Sequence, residues 1–247
     1  MDRFPTDQYS NSSLWTSASD ANAALNGVYS KWENGIYAEG WLFRMDEASD
    51  NAVCPYSWES YSMLGNQLLL TPTNTGAGKW EYNTIQKCNW FLANIDKTPM
   101  DENLKKRMIA EAKFLRAYKY FIMSQLYGGV PLITKNVTIA EANSIPRTSK
   151  DSVLNFVLDE LNAASADLPE SYPASDAGRI TSGAAWALKA RVELFNEKYA
   201  DCIASCNNVI GKYSLFNSYE DLFRIQNENN SEIILDVEYL QDDQALW

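Results

Sequence analysis

The side chains with the most chemistry to offer gather in residues 36–79, where Trp41, Tyr56, Trp58 and Tyr61 alternate with Asp46, Glu47, Asp50, Asn51, Pro55, Pro72 and Asn74. Indole and phenol rings suit pyranose sugars, because sugar C–H faces stack on flat apolar rings while the hydroxyls find polar neighbours. A stretch this long with little periodicity is uncommon in a compact domain unless it has work to do. Each ring also has a plainer use, packing onto a helical body. The same acids raise a second chemistry, since Asp46 with Glu47 or Asp50 would be the place for a glycosidase-like carboxylate pair. Against it stands the ordinary fate of acidic loop side chains, which is solvation. A calcium site there lacks the ligand spacing of an EF-hand.

Other chemistries are excluded by what the chain lacks. It has no histidine, so the usual general base for a Ser or Cys nucleophile is absent. Gly76-Ala77-Gly78 lacks the Gly and Lys-Ser spacing of a phosphate-cradling loop. Cys202 and Cys206 stand four apart on an expected helix, where a two-thiolate metal site is conceivable. Without histidine, and with Cys54 and Cys88 unpaired in spacing, they read as small buried residues, and no metal or cofactor is expected. A formal net charge of −11 argues against nucleic acid and against electrostatic docking on anionic lipid. No apolar run approaches the roughly 20 residues that cross a bilayer. Met1 is followed directly by Asp2 and Arg3, so no signal peptide is read, although a chain trimmed of its export signal would read the same.

Those rings need a scaffold, and its strongest element is residues 108–127. This stretch lacks Pro and Gly, and Met108, Ile109, Ala112, Leu115, Tyr118, Ile122 and Leu126 recur at three- and four-residue steps, with Phe114, Phe121 and Met123 on neighbouring rows. A helix apolar around most of its girth must be covered on several sides, which predicts an all-α packing with this helix at the centre. Gly128 and Gly129 are expected to supply left-handed residues that end it, and Pro131 forbids its resumption. Arg116, amid apolar neighbours, is expected to be a part-buried charge satisfied by a carboxylate or helix-end carbonyls.

The companions follow from the same periodicity. A helix is expected from Ser17, with Asp20 completing a capping box, to about residue 34; Ala21, Ala24, Leu25, Val28 and Trp32 mark one face, and Gly27 allows close helix contact. Another runs over about 80–95 with Ile85, Cys88, Asn89 and Leu92 inward. Asp101 and Glu102 suit the positive end of the central helix, and Lys105, Lys106 and Arg107 read as its solvated face. Ser149 caps a helix with Val153, Phe156, Val157, Glu160, Leu161 and Ala164 inward, ending by Pro169. Residues 178–196 and 199–210 form a close hairpin, the second helix presenting Tyr199, Ala200, Ile203 and Val209 and stopping at Gly211. Residues 231–239 alternate Ile233, Leu235 and Val237 and read as a strand without an obvious partner.

The words E-A-K-F-L-R-A-Y-K-Y-F (111–121) and Y-G-G-V-P-L-I-T (127–134) resemble the hallmark of the SusD/RagB family of surface glycan-binding lipoproteins. The block G-R-I-T-S-G-A-A-W-A-L-K-A-R-V-E-L-F (178–195) is similar to the same family, as are A-L-N-G-V-Y (24–29) and the phrase carrying Tyr213, Leu215, Tyr219, Leu222 and Phe223. The resemblance implies an all-α, SusD-like helical fold with tetratricopeptide-like helix hairpins, irregular loops and a minor strand element. It implies a single helical domain over 1–247, with a loop-rich insert at about 36–79 and helix pairs at about 80–127 and 150–211, continuing beyond residue 247 in the full protein.

The resemblance also implies a role without catalysis. The chain would capture oligosaccharide or polysaccharide at the outer-membrane surface of a Bacteroidetes-type bacterium and deliver it to a SusC-like, TonB-dependent transporter. The lipidated cysteine that anchors such a protein would precede residue 1. In the family, glycan contacts come from aromatic and amide side chains on loops of this region, so Tyr56, Trp58, Asn66 and Trp80 are the candidates here, by region and not by an aligned motif. A peptide- or protein-binding helical repeat would use the same fold, and a glycosidase is the third reading.

Overall fold

The computed structural model describes residues 15–32, 46–53, 55–56, 65 and 80–237. Among these it contains eight α-helices: α1 (Ala18–Trp32), α2 (Asn83–Leu92), α3 (Glu102–Tyr127), α4 (Ile139–Ala142), α5 (Lys150–Asp167), α6 (Ser182–Phe195), α7 (Tyr199–Cys206) and α8 (Tyr219–Leu222). The expected helical architecture is what forms. The minor strand is a correction: residues 231–237 run as turns and irregular chain, and 238 and 239 lie outside the described residues. Alternating apolar residues do not make a strand without an edge to satisfy their backbone groups. Among the described residues β pairing is limited to two isolated bridges, Val130 with Thr148 and Ile210 with Tyr213.

The chain divides into two compact units, one of Met1–Met100 and Tyr118–Val153, the other of Asp101–Ala117 and Leu154–Trp247. Helix α3 contributes residues to each. Asp101 caps it, its Oδ1 accepting from the Asn103 and Leu104 amides at 3.0 and 2.9 Å. No residue from 107 to 127 is exposed, so the helix is covered around its girth as its composition requires. The deepest seam differs from the expected one. Tyr118, Ile122 and Leu126 are half-buried, whereas Lys119 and Tyr120 are fully buried. Both tips find partners there: Tyr120 accepts from the Ile133 amide at 2.7 Å and donates to its carbonyl at 3.0 Å, and Lys119 pairs with Glu81.

The two glycines after α3 have different tasks. Gly128, at φ 71°, takes the left-handed residue that ends the helix. Gly129 is not left-handed; a Cβ there would lie 2.4 Å from the Thr148 carbonyl oxygen, so it supplies space. Thr148 donates to the Val130 carbonyl at 3.0 Å in the same place. Gly129→Ala is expected to force this contact apart and to cost about 1–3 kcal/mol, read as a lower denaturant midpoint.

Within the first unit α1 packs against α2, with Ala21, Ala24, Leu25 and Val28 buried. Gly27 does not mediate that contact; it is exposed, with open space where a Cβ would stand. Helix α2 starts at Asn83, not at 80, because the Glu81 Oε2 accepts from the Asn83 amide at 2.7 Å and the chain before it is non-helical. Ile85, Cys88 and Asn89 are inward as expected, with Phe91 buried deeper than Leu92.

The second unit is pinned by buried charge. Arg116 donates to Glu160 from Nη2 at 2.6 Å and from Nε at 2.8 Å, its guanidinium 5.4 Å from the Phe156 ring centre, which is the carboxylate partner expected of it. Burial pushes the Glu160 carboxyl above its usual range, against the opposing pull of Arg116. Glu111, wholly enclosed, holds Arg107 at 3.2 Å and Arg179 at 3.1 Å, so Arg107 is not the solvated base that its neighbours suggested.

Thr181 caps α6 by accepting from the Ala184 amide at 3.2 Å, and α6 packs on α7. Lys189 reaches Glu193 at 2.6 Å and Ser205 at 3.0 Å, while the Ser205 hydroxyl donates to Glu193 at 2.6 Å. Helix α7 ends at Cys206, short of the expected Ile210, and Tyr199 and Ile203 are 60% and 64% exposed. Ser205 faces inward instead, and Ile203, two residues earlier and about 200° round the helix, is carried outward.

Candidate functional site

A cleft of about 470 Å³ opens in the first unit between the entry to α2 and the segment 131–142. One wall carries Trp80, Tyr82, Asn83, Ile85, Gln86 and Asn89; the other carries Pro131, Ile133, Lys135, Asn136, Val137, Thr138, Ile139 and Ala142. Several of these hold the walls together. The Tyr82 hydroxyl donates to the Pro131 carbonyl at 2.9 Å, and the Asn89 amide donates to the carbonyls of Ile133 and Lys135 at 2.9 and 3.2 Å. Burial pushes the Tyr82 phenol up to about 12, with Arg147 pulling the other way, so it stays a donor at neutral pH. At the far end, Thr138 and Glu141 form a capping box for α4, and hydrogen bonds from the Thr138 amide and hydroxyl hold the Glu141 carboxyl below the usual range.

A ring and three amides on the lining are exposed. Trp80 is 40% exposed, its ring 5.1 Å from Tyr127 edge to face, and the Arg147 guanidinium lies over it at 4.8 Å. Arg147 is itself fixed by donating to the carbonyls of Tyr127 and Gly129 at 3.2 and 3.1 Å. With Arg147, Tyr127 and Tyr82 packed around it, the 40% of Trp80 that stays exposed offers flat apolar ring surface. Asn83, Gln86 and Asn136 are exposed amides on the lining, able to donate to and accept from hydroxyls. The ring and amides therefore offer the two kinds of contact that a pyranose uses.

Of the four residues singled out from the sequence, Trp80 lines this cleft. Tyr56 is exposed and is not among the described lining residues. Trp58 and Asn66 lie outside the described residues. Sequence reasoning missed Asn83 and Gln86, whose three-residue spacing from Trp80 along the start of α2 was available as a signal. It also missed Arg147 and the 131–142 wall, which reach the site only through tertiary folding.

Asp46, Glu47 and Asp50 sit on a short turn, where Ser49 donates to the Asp46 carbonyl from its amide and its hydroxyl, and none of the three is among the described lining residues. Among the described residues no group of three His, Cys, Asp or Glu could hold a metal ion. Cys202 and Cys206 are half-buried, and burial, then the hydrogen bond with Cys206, pushes the Cys202 thiol up. Among the described residues no helix is long and apolar enough to cross a membrane.

Comparison with known proteins settles the kinship. Residues 5–194 match a SusD-like family profile described as "Starch-binding associating with outer membrane". The chain belongs to the SusD-like family. It is 28% identical over 243 residues to SusD-like protein P25 of Formosa agariphila, covering 93% of this chain and 46% of that protein. It is 32% identical over 165 residues to the starch-binding protein SusD of Bacteroides thetaiotaomicron, covering 62% of this chain and 28% of that one. A crystal structure of a SusD-like protein from Bacteroides fragilis superposes with a TM-score of 0.83 at 33% identity, over 96% of this chain and 47% of that one. A laminarin-binding SusD-like protein gives 0.82 at 28% identity, over 90% and 51%. The chain thus spans about half the length of the longer relatives it matches across most of its own length.

Proposed function

We propose that this chain forms part of a surface protein that binds oligosaccharide or polysaccharide without cleaving it, with Trp80 as a stacking platform and Asn83, Gln86 and Asn136 as hydroxyl partners. The observation that carries the reading is the cleft, where an exposed indole backed by Arg147 stands beside exposed amides. Family membership adds weight, since relatives include a starch-binding and a laminarin-binding protein. Stacking and shared hydrogen bonds give modest affinity, which suits a protein that passes ligand onward. The proposal extends to an outer-membrane location, an amino-terminal lipid anchor and delivery to a SusC-like, TonB-dependent transporter. Tyr56, Trp58 and Asn66 are proposed as further contacts.

Calorimetry on the full-length protein separates the readings. Titration with laminarin-derived and starch-derived oligosaccharides is expected to release heat with at least one of them and to leave the sugars' reducing ends unchanged in number. Heat with a peptide panel alone would favour a peptide-binding helical repeat, and new reducing ends would favour a glycosidase.

A further inference from the structure

We propose that Lys119 is a positioning residue for the Trp80–Asn83 edge of the cleft, acting through Glu81; its bearing on sugar affinity rests on the reading of Trp80 as a platform. Lys119 stands on α3 with its side chain entirely enclosed, and its ammonium meets the Glu81 carboxylate. A lysine is almost never buried so completely without a partner, because desolvating the charge costs more than packing its stem returns. An apolar residue of the same length would fill the site at least as well. The lysine therefore ties its own burial to the place that Glu81 takes.

Glu81 is where that tie becomes useful. It lies between Trp80 and Tyr82, both on the cleft wall, and its side chain is 27% exposed, so it reaches from the enclosed ammonium toward the rim. One carboxylate oxygen faces Lys119, and the other accepts from the Asn83 amide at 2.7 Å. A single side chain thus fixes the non-helical approach that carries Trp80 and the first residue of α2 that carries Asn83. Ring platform and amide are held on either side of one carboxylate whose cation stands on α3.

The test uses full-length protein labelled with 5-fluorotryptophan, the Trp80 resonance assigned with Trp80→Phe, and laminarihexaose as the probe. Lys119→Met removes the charge at nearly constant volume but leaves the enclosed Glu81 Oε1 without its cation, so its unfolding midpoint is expected to fall by a few degrees. The Trp80 fluorine resonance is expected to shift or broaden, and the probe's Kd to rise about tenfold, as slight misplacement of a positioned group does. Glu81→Gln alone would strand the buried ammonium, so the second variant is Glu81→Gln with Lys119→Met, expected to recover most of the midpoint and to match Lys119→Met in resonance and Kd. A Trp80 resonance unmoved in Lys119→Met, or a moved one with unchanged Kd, overturns the proposal. The fluorine signal needs no sugar; if wild-type protein ignores the probe, the sugar reading suffers, and the resonance still decides the tie.

Discussion

Glu111→Ala is expected to lower the midpoint of thermal unfolding by about 10 °C, the largest loss of stability anticipated for a single substitution in this chain. Glu111 is wholly enclosed between Arg107 and Arg179, and Arg179 also reaches Asp176 at 2.9 Å. Removing the carboxylate takes from two guanidinium groups, 19% and 11% exposed, the enclosed anion that they share, and the Asp176 that stays within reach of both is itself partly exposed. Deleting one member of a buried pair costs about 3–5 kcal/mol, and about 2–4 °C per kcal/mol applies at this chain length. Calorimetric unfolding of Glu111→Ala checks the drop. Glu111→Met with Arg179→Met provides the control, since an apolar replacement of the pair should recover most of the loss. A midpoint within about 2 °C of wild type in the single variant would show that the network carries little weight.

The same contact joins the two stretches of sequence that carry the family resemblance. Glu111 belongs to E-A-K-F-L-R-A-Y-K-Y-F and Arg179 to G-R-I-T-S-G-A-A-W, and these words meet through an ion pair at 3.1 Å. Arg116 of the first word is satisfied by Glu160, within the face of α5 that periodicity had already marked as inward. Helix positions were legible because apolar spacing and capping residues are local: Ser149 caps where it was read to cap, Asp101, read as an acid suited to the positive end of α3, caps that helix, and α6 begins after Thr181, within the expected span 178–196. Partner choice was not legible. Nothing in the spacing says that Glu111 takes Arg179, that Ser205 turns inward on α7, or that Ile233, Leu235 and Val237 find no strand to pair with among the described residues. Those outcomes depend on which surface arrives from far along the chain.

The site was legible to the same depth. Trp80 could be named because a tryptophan at the mouth of a helix, after a long aromatic stretch, stands out by composition alone. Its setting could not. Arg147 follows a proline in a polar loop, and no local pattern distinguishes it from a solvated base; only folding brings its guanidinium over the indole. Asn89 shows the opposite error that composition invites, since an amide on the cleft wall looks like a ligand group until its two donated hydrogen bonds assign it to the wall itself. Tyr56 is the milder case, an exposed ring outside the described lining.

Trp80→Ala is the variant expected to affect binding most. Truncating a central aromatic platform removes about 2 kcal/mol or more, which is about a thirtyfold rise in Kd. Trp80→Phe keeps a smaller ring and should lose less, whereas Asn83→Ala and Gln86→Ala each remove one hydroxyl partner and should cost about two- to tenfold. The unfolding midpoint should barely move in Asn83→Ala and Gln86→Ala, which truncate exposed amides, and should fall by a few degrees in Trp80→Ala, because the indole is only 40% exposed and packs on Tyr127 and Arg147. Titration of laminarin- and starch-derived oligosaccharides into each variant supplies the numbers. A platform with hydroxyl partners predicts Trp80→Ala worse than Trp80→Phe and worse than either amide variant, at temperatures where every variant stays folded. Equal affinity in wild type and Trp80→Ala would move the sugar away from this cleft and toward the rings of residues 36–79.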